Sequence, residues 1–198
     1  MTQQIVLASD NAGKIREIQA LLAGLDIEVL PQSMFVGEGA EETGLSFVEN
    51  AILKARHAAL ASGLPAIADD SGLEVDALAG APGVFSARYA GPGASDADNN
   101  AKLLREMENI ADAARSARFR CVMVYLRHAN DPSPLIAEGV WEGQILNALR
   151  GAGGFGYDPL FFVPEQGCSS AELPPAEKNR LSHRGQALRA LAARLSAG

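Results

Sequence analysis

The sequence predicts an α/β fold. Short apolar strands alternate with amphipathic helices, beginning with "QQIVLAS", "NAGKIREIQALLAG" and "DIEVLP", a strand–turn–helix–strand opening typical of that class. Further along, "ARFRCVMVYLRHA" alternates Phe119, Cys121, Met123 and Tyr125 with Val122, Val124 and Leu126. Both sides of that strand are apolar, as in a sheet covered on both faces.

The elements follow in order. In the first helix Ile15, Ile18, Leu21 and Leu22 fall on one side, and Gly24 stops it. "SFVENAILKARHAALASG" predicts a second helix with two stripes. One is Val48, Ile52, Ala55 and Ala59; the other is Phe47, Asn50, Lys54 and His57. "PAIADD" and "LEVDAL" read as two strands around a turn at Asp70–Gly72. "SDADNNAKLLREMENI" is a helix capped by Ser95. "NDPSP" turns the long strand back into "LIAEGVWEGQIL". "GAGGFGYDP" is a glycine-rich loop before the apolar "LFFVP". A last helix starts near Ser182, with Leu188, Leu191, Ala192 and Leu195 as its core stripe.

Composition bounds the function. A chain of 198 residues forms one domain or two closely packed lobes, and 47% hydrophobic with 21% charged residues describes an ordinary soluble globular protein. No apolar run is long enough for a membrane span, and "MTQQIVLASDNAGK" lacks a basic n-region and a long apolar segment, so secretion is not expected. Cys121 and Cys168 are far apart without metal-ligand spacing, which suits a reducing, cytoplasmic compartment. His57, His128 and His183 form no zinc pattern. A net charge of −7 argues against binding nucleic-acid polymers. A small phosphorylated ligand needs only a few local cations, helix N-termini or a divalent ion.

Several segments carry chemistry. "SDNAGK" joins a strand to a helix, where free backbone N–H groups favour an anion. Ser9 and Asn11 add polar groups there, and Lys14 adds a charge. Asn50 and Lys54 share a helical face. Glu41 and Asp70 would supply the carboxylate pair that Mg²⁺ takes alongside ligand phosphates. Asp69 and Asp70 cannot both point the same way from an extended strand, and the residues alone do not choose between them. Phe155, between glycines, could stack a base. "SHR" (Ser182–Arg184) places His183 and Arg184 among free N–H donors. Lys14, Lys54, Lys178 and Arg184 with Glu41, Asp70 and Phe155 suit a triphosphate, which carries about four negative charges and calls for cations and a divalent ion.

With those residues, the chain resembles the inosine/xanthosine triphosphate pyrophosphatases end to end. The segments are "SDNAGK", "FVENAILKA", "ADDSGLEVDALAGAPGVFSARYAG", "GFGYDPLFF" and "EKNRLSHR". The resemblance implies a two-lobed α/β fold, one domain with a long mixed twisted sheet flanked by helices and a substrate cleft between the lobes. It also implies a homodimer that uses Mg²⁺ to split deaminated purine nucleoside triphosphates (ITP, dITP, XTP) into monophosphate and pyrophosphate. Ser9, Asn11, Lys14 and Lys54 would then hold phosphates. Glu41 and Asp70 would serve the metal, and Asp70 would accept the proton, which settles the choice against Asp69. Ser71 would touch substrate, and Phe155, Gly156, Tyr157, Asp158, Lys178, His183 and Arg184 would hold base and sugar. Asp10 beside a phosphate loop is expected to turn away. A pyrophosphatase for other modified nucleotides, or a non-catalytic nucleotide-binding module, is the alternative.

Overall fold

A computed structural model describes residues 2–197, apart from the side chains of Leu21 and Ala23. The first strand β1 (Gln3–Leu7) leads into α1 (Ala12–Leu22), then β2 (Ile27–Pro31), α2 (Phe47–Ser62) and β3 (Ala66–Val75). The chain continues through α3 (Asp96–Glu106), β4 (Ser116–Leu126), β5 (Leu135–Ile145), β6 (Phe161–Val163), β7 (Cys168–Ser169), α4 (Pro175–Leu181) and α5 (His183–Ser196). The sheet has seven strands in the order β2-β1-β3-β4-β5-β6-β7. It is mixed: β1 runs parallel to β2 and β3, whereas β6 is antiparallel to β5 and β7. The expected α/β class with a long mixed sheet is therefore present. Among the described residues no helix is long and apolar enough to cross a membrane.

The chain divides into two compact units. One holds the residues up to Asp70, Cys121–Gly139 and the segment from Gln186; the other holds Ser71–Arg120 and Val140–Gly185. The first has a core of Ile5, Leu7, Ile18, Leu22, Val29, Ile67, Met123 and Leu188, with Ile15 packed against it. The expected stripe of α1 is thus buried, save Leu21, whose side chain lies outside the described ones. The core of the second gathers Leu73, Val75, Leu103, Phe119, Trp141, Leu160 and Phe161.

Local rules explain the helices. Ser46 caps α2 by accepting the Glu49 N–H, and Gly63 ends the helix at φ +70°. Its buried face draws on both expected stripes, with Phe47, Asn50, Ala51, Ala55, Ala58 and Ala59. Ser95 caps α3 in a capping box with Asp98. Two readings need correction. "ADDSGL" contains no turn: β3 runs unbroken for ten residues through Asp70, Ser71 and Gly72. One strand buries Ile67 in the first core and Leu73 and Val75 in the second. The short helix α4 was not expected at all; Pro175 stands at its first position.

Candidate active site

In the first unit, chemistry gathers where β3 carries its two acids. Successive strand residues point to opposite faces, so Asp69 and Asp70 meet different lysines. Lys14 on α1 places Nζ 2.9 Å from both carboxylate oxygens of Asp69. Lys54 on α2 places Nζ 3.2 Å from Asp70 Oδ1 and 2.9 Å from Glu42 Oε1. One turn earlier on α2, Asn50 donates Nδ2 to Asp70 Oδ2 at 3.2 Å. The other end of that amide accepts the Gly44 N–H at 2.8 Å. Gly44 has to be glycine, because a Cβ there would stand 2.7 Å from Asn50 Oδ1.

These groups tune one another. Burial pushes the Asp70 carboxyl above the ordinary aspartate range; Lys54 and Asn50 pull it back, and Glu42 adds to the rise. Burial alone would lower Lys54, but Asp70, Glu42 and Asp69 outweigh it and hold the ammonium above its usual value. A carboxylate of raised proton affinity, fixed by two donors, is suited to take a proton.

The loop before α1 is organised by Asn11, whose Oδ1 accepts the N–H groups of Gly13 (2.9 Å) and Lys14 (3.1 Å). Ser9 Oγ accepts the Asn11 N–H at 3.2 Å. Asp10 does turn away, accepting from the Ser33 N–H at 2.8 Å and from Gln32 at 3.3 Å. Of the neighbouring glutamates, the structure brings Glu42 to Lys54, while Glu41 is exposed.

In the second unit, the glycine-rich loop presents Phe155, 62% exposed. Lys178 Nζ lies 4.7 Å from the centre of its ring and the Arg184 guanidinium carbon 5.6 Å. Asp158 is buried. It accepts from the Phe155 N–H at 2.8 Å, from Ser170 Oγ at 2.9 Å and from Lys178 Nζ. Gly154, at φ +76°, leaves the room that Asp158 needs, since a Cβ would fall 2.1 Å from its Oδ2. Arg184 donates to Ser71 Oγ at 3.3 Å. His183, at the start of α5, stacks on Phe119 at 4.8 Å between ring centres. Tyr157 is buried and donates its hydroxyl to the Ser86 carbonyl at 2.8 Å, which anchors the loop. An exposed ring flanked by two cations is a stacking platform for a planar, acceptor-bearing group.

The expected residues thus fall into two sets. Ser9, Asn11, Lys14, Glu41, Lys54 and Asp70 lie in the first unit, and Ser71, Phe155–Asp158, Lys178, His183 and Arg184 in the second. Sequence reasoning missed Glu42 as the partner of Lys54 and Asp69 as the partner of Lys14. It also left Asn50 without a role. An asparagine between Phe47 and Lys54 on one helical stripe was the signal for it.

The chain matches the Ham1 family over residues 5–194. A dITP/XTP pyrophosphatase of Thioalkalivibrio sulfidiphilus is 66% identical over 97% of this chain and 98% of that protein. The dITP/XTP pyrophosphatase of Methylococcus capsulatus is 62% identical over 100% and 98%. A HAM1 protein from Coxiella burnetii has a solved structure that superposes with a TM-score of 0.95 at 54% identity, covering 99% of this chain and 100% of that one.

Proposed function

The chain belongs to the Ham1 family, and we propose from that premise that it hydrolyses deaminated purine nucleoside triphosphates (dITP, ITP and XTP) to the monophosphate and pyrophosphate. The observation that carries this reading is the Asp70 carboxylate, held by Asn50 and Lys54 and raised in proton affinity by burial. Water attacks the α-phosphorus in line with the bridging oxygen. Its oxygen bonds to phosphorus, its proton passes to Asp70, and the bridging oxygen leaves with pyrophosphate. Lys14 and Lys54 stabilise the phosphate charge, and Ser9 and Asn11 shape the loop that receives it.

The donor set fits Mg²⁺. Lys14, Lys54, Asp69, Asp70 and Glu42 leave a net negative charge where a triphosphate would have to bind. That acid-rich balance disfavours the free anion and suits its complex with a hard divalent cation, which takes carboxylate oxygens. Among the described residues no cluster of three or more His, Cys, Asp or Glu could hold an ion. Asp70, with Glu41 or Glu42, would therefore share it with phosphate oxygens. Magnesium would neutralise phosphate charge and lower the pKa of water.

On the second set, Phe155 stacks the purine, and Lys178, Arg184 and His183 read its oxygen-bearing edge; Ser71, Gly156, Tyr157 and Asp158 support them. Hypoxanthine and xanthine carry an acceptor at C6 where adenine carries a donor, so cationic donors select the deaminated bases. We take the chain to work as one catalytic domain, as a cytoplasmic homodimer. Pyrophosphate release from dITP, XTP, dGTP and dATP, with and without Mg²⁺, tests the reading. Release from dITP and XTP only with magnesium supports it. Binding of dITP without release would make the chain a nucleotide-binding module, and equal release from dATP would make it a general nucleotide pyrophosphatase.

A further inference from the structure

Helix α3 belongs to neither set, yet two of its residues grip the platform loop. Asp96 and Asn100 stand four residues apart, on one face of the helix. Asp96 Oδ2 accepts the Gly156 N–H at 2.6 Å, and Asn100 Nδ2 donates to the Gly156 carbonyl at 2.8 Å. Both backbone groups of the residue after Phe155 are thereby fixed from one helix. On its other side the Phe155 N–H is fixed by Asp158. Asn100 is buried at 5% exposure, and its orientation is set, because only its NH₂ can donate to a carbonyl. The capping box of α3 uses Asp98, which leaves the Asp96 carboxylate available to the loop.

We propose that Asp96 and Asn100 are positioning residues for base selection, a reading that rests on the proposed substrate class. Stacking on Phe155 is indifferent to the identity of the base. Selection depends on the register between the stacked base and the donors Lys178 and Arg184, both of which lie against that same ring. A loop free to shift would keep much of the stacking and lose the register. The correct base then suffers most, because only it had hydrogen bonds to misalign.

The test uses the variants Asn100→Ala, Asn100→Asp, Asp96→Ala and Asp96→Asn, with kcat/KM for dITP and dATP and inhibition by inorganic tripolyphosphate. For Asn100→Ala and Asn100→Asp, kcat/KM for dITP should fall by about 10- to 150-fold, the worth of hydrogen bonds from a charged donor to the base. Activity on dATP should change less, and inhibition by tripolyphosphate should not change. Asp96→Ala should show a smaller loss of the same kind, since its bond is exposed to water. Asp96→Asn should recover most of it, because an amide oxygen still accepts the Gly156 N–H. If the Asn100 variants fail to fold, the Asp96 pair decides alone. Equal losses on dITP and dATP, a parallel change for tripolyphosphate, or no recovery in Asp96→Asn would reduce the clamp to a structural contact. A wild-type enzyme that turned over dITP and dATP alike would overturn the substrate reading as well; a selective wild type with equally selective variants would overturn the clamp alone.

Discussion

Replacing Asp70 with asparagine changes little in volume but much in hydrogen bonding. The two carboxylate oxygens have different donors, Asn50 Nδ2 on Oδ2 and Lys54 Nζ on Oδ1, each at 3.2 Å. Asn50 cannot turn over to compensate, because its own oxygen is held by the Gly44 N–H. An amide has a single acceptor oxygen, so its NH₂ must face one of the two donors. Leaving a buried donor unsatisfied costs about 1–3 kcal/mol. Removing a carboxylate that burial disfavours offsets part of that, so the lower end is expected. For a chain of this size each kcal/mol moves Tm by about 2–4 °C, and the expected drop is about 2–6 °C. With stabilities of about 5–15 kcal/mol typical of folded domains, the variant stays folded at 25 °C.

Turnover should fall much further than stability. The amide cannot take the proton from water, and general bases contribute about 10²–10⁴-fold. Pyrophosphate release from saturating dITP and Mg²⁺, beside a thermal melt of the same preparation, separates the two effects. A kcat within about tenfold of wild type, well short of a general-base contribution, would remove Asp70 from the reaction. A melt as low as that of a partly unfolded chain would mean that the activity loss reported folding instead.

Lys14→Ala should raise KM for dITP more than it lowers kcat, and should also lower Tm, because it takes the ammonium from an Asp69 side chain that is 4% exposed. Lys14→Met combined with Asp69→Asn should restore Tm without restoring KM; recovery of both would confine Lys14 to a structural role. Arg184→Ala should erode the preference for dITP over dATP more than that over dGTP, since guanine shares the C6 oxygen. The opposite order in kcat/KM would take Arg184 off the C6 edge. Hydrogen bonds from Arg118 and Ser116 hold the Asp76 carboxyl down to about 2, against 3.8 for the free side chain. A depressed folded-state pKa stabilises above the unfolded value and is lost as pH falls through the folded one. Asp76→Asn should therefore be less stable than wild type at neutral pH, with the gap in denaturant midpoint closing between about 3.8 and about 2. A gap that stayed constant over that range would exclude the ionised pair as its cause.

What could be read in advance follows from the range of the interactions. Ser95 could be named as a cap because its partner Asp98 is three residues away. The stripes of α2 could be named because helical periodicity is local, although the face actually buried mixes the two. The choice between Glu41 and Glu42 at Lys54 could not be read, because neighbouring loop residues carry no periodicity to separate them. Helix α4 escaped for a related reason: seven residues starting at a proline are too few to show a stripe.

The strand β3 shows the same limit at its most consequential point. Two adjacent acids followed by Ser71 and Gly72 look like a turn when the only remedy considered for a carboxylate is water. A strand offers another remedy. Alternation sends Asp69 and Asp70 to opposite faces, and each face is within reach of a helix that supplies a lysine, α1 for Asp69 and α2 for Asp70. Neither pairing has a local signature, since the partners lie 55 and 16 residues apart. The family resemblance chose Asp70 over Asp69, and the environments give that choice a physical sense. Asp69 has Lys14 on both of its oxygens at 2.9 Å. Asp70 shares Lys54 with Glu42 and takes its other bond from a neutral amide, and burial raises its pKa. A buried acid beside a second acid and a shared lysine is the better placed of the two to accept a proton.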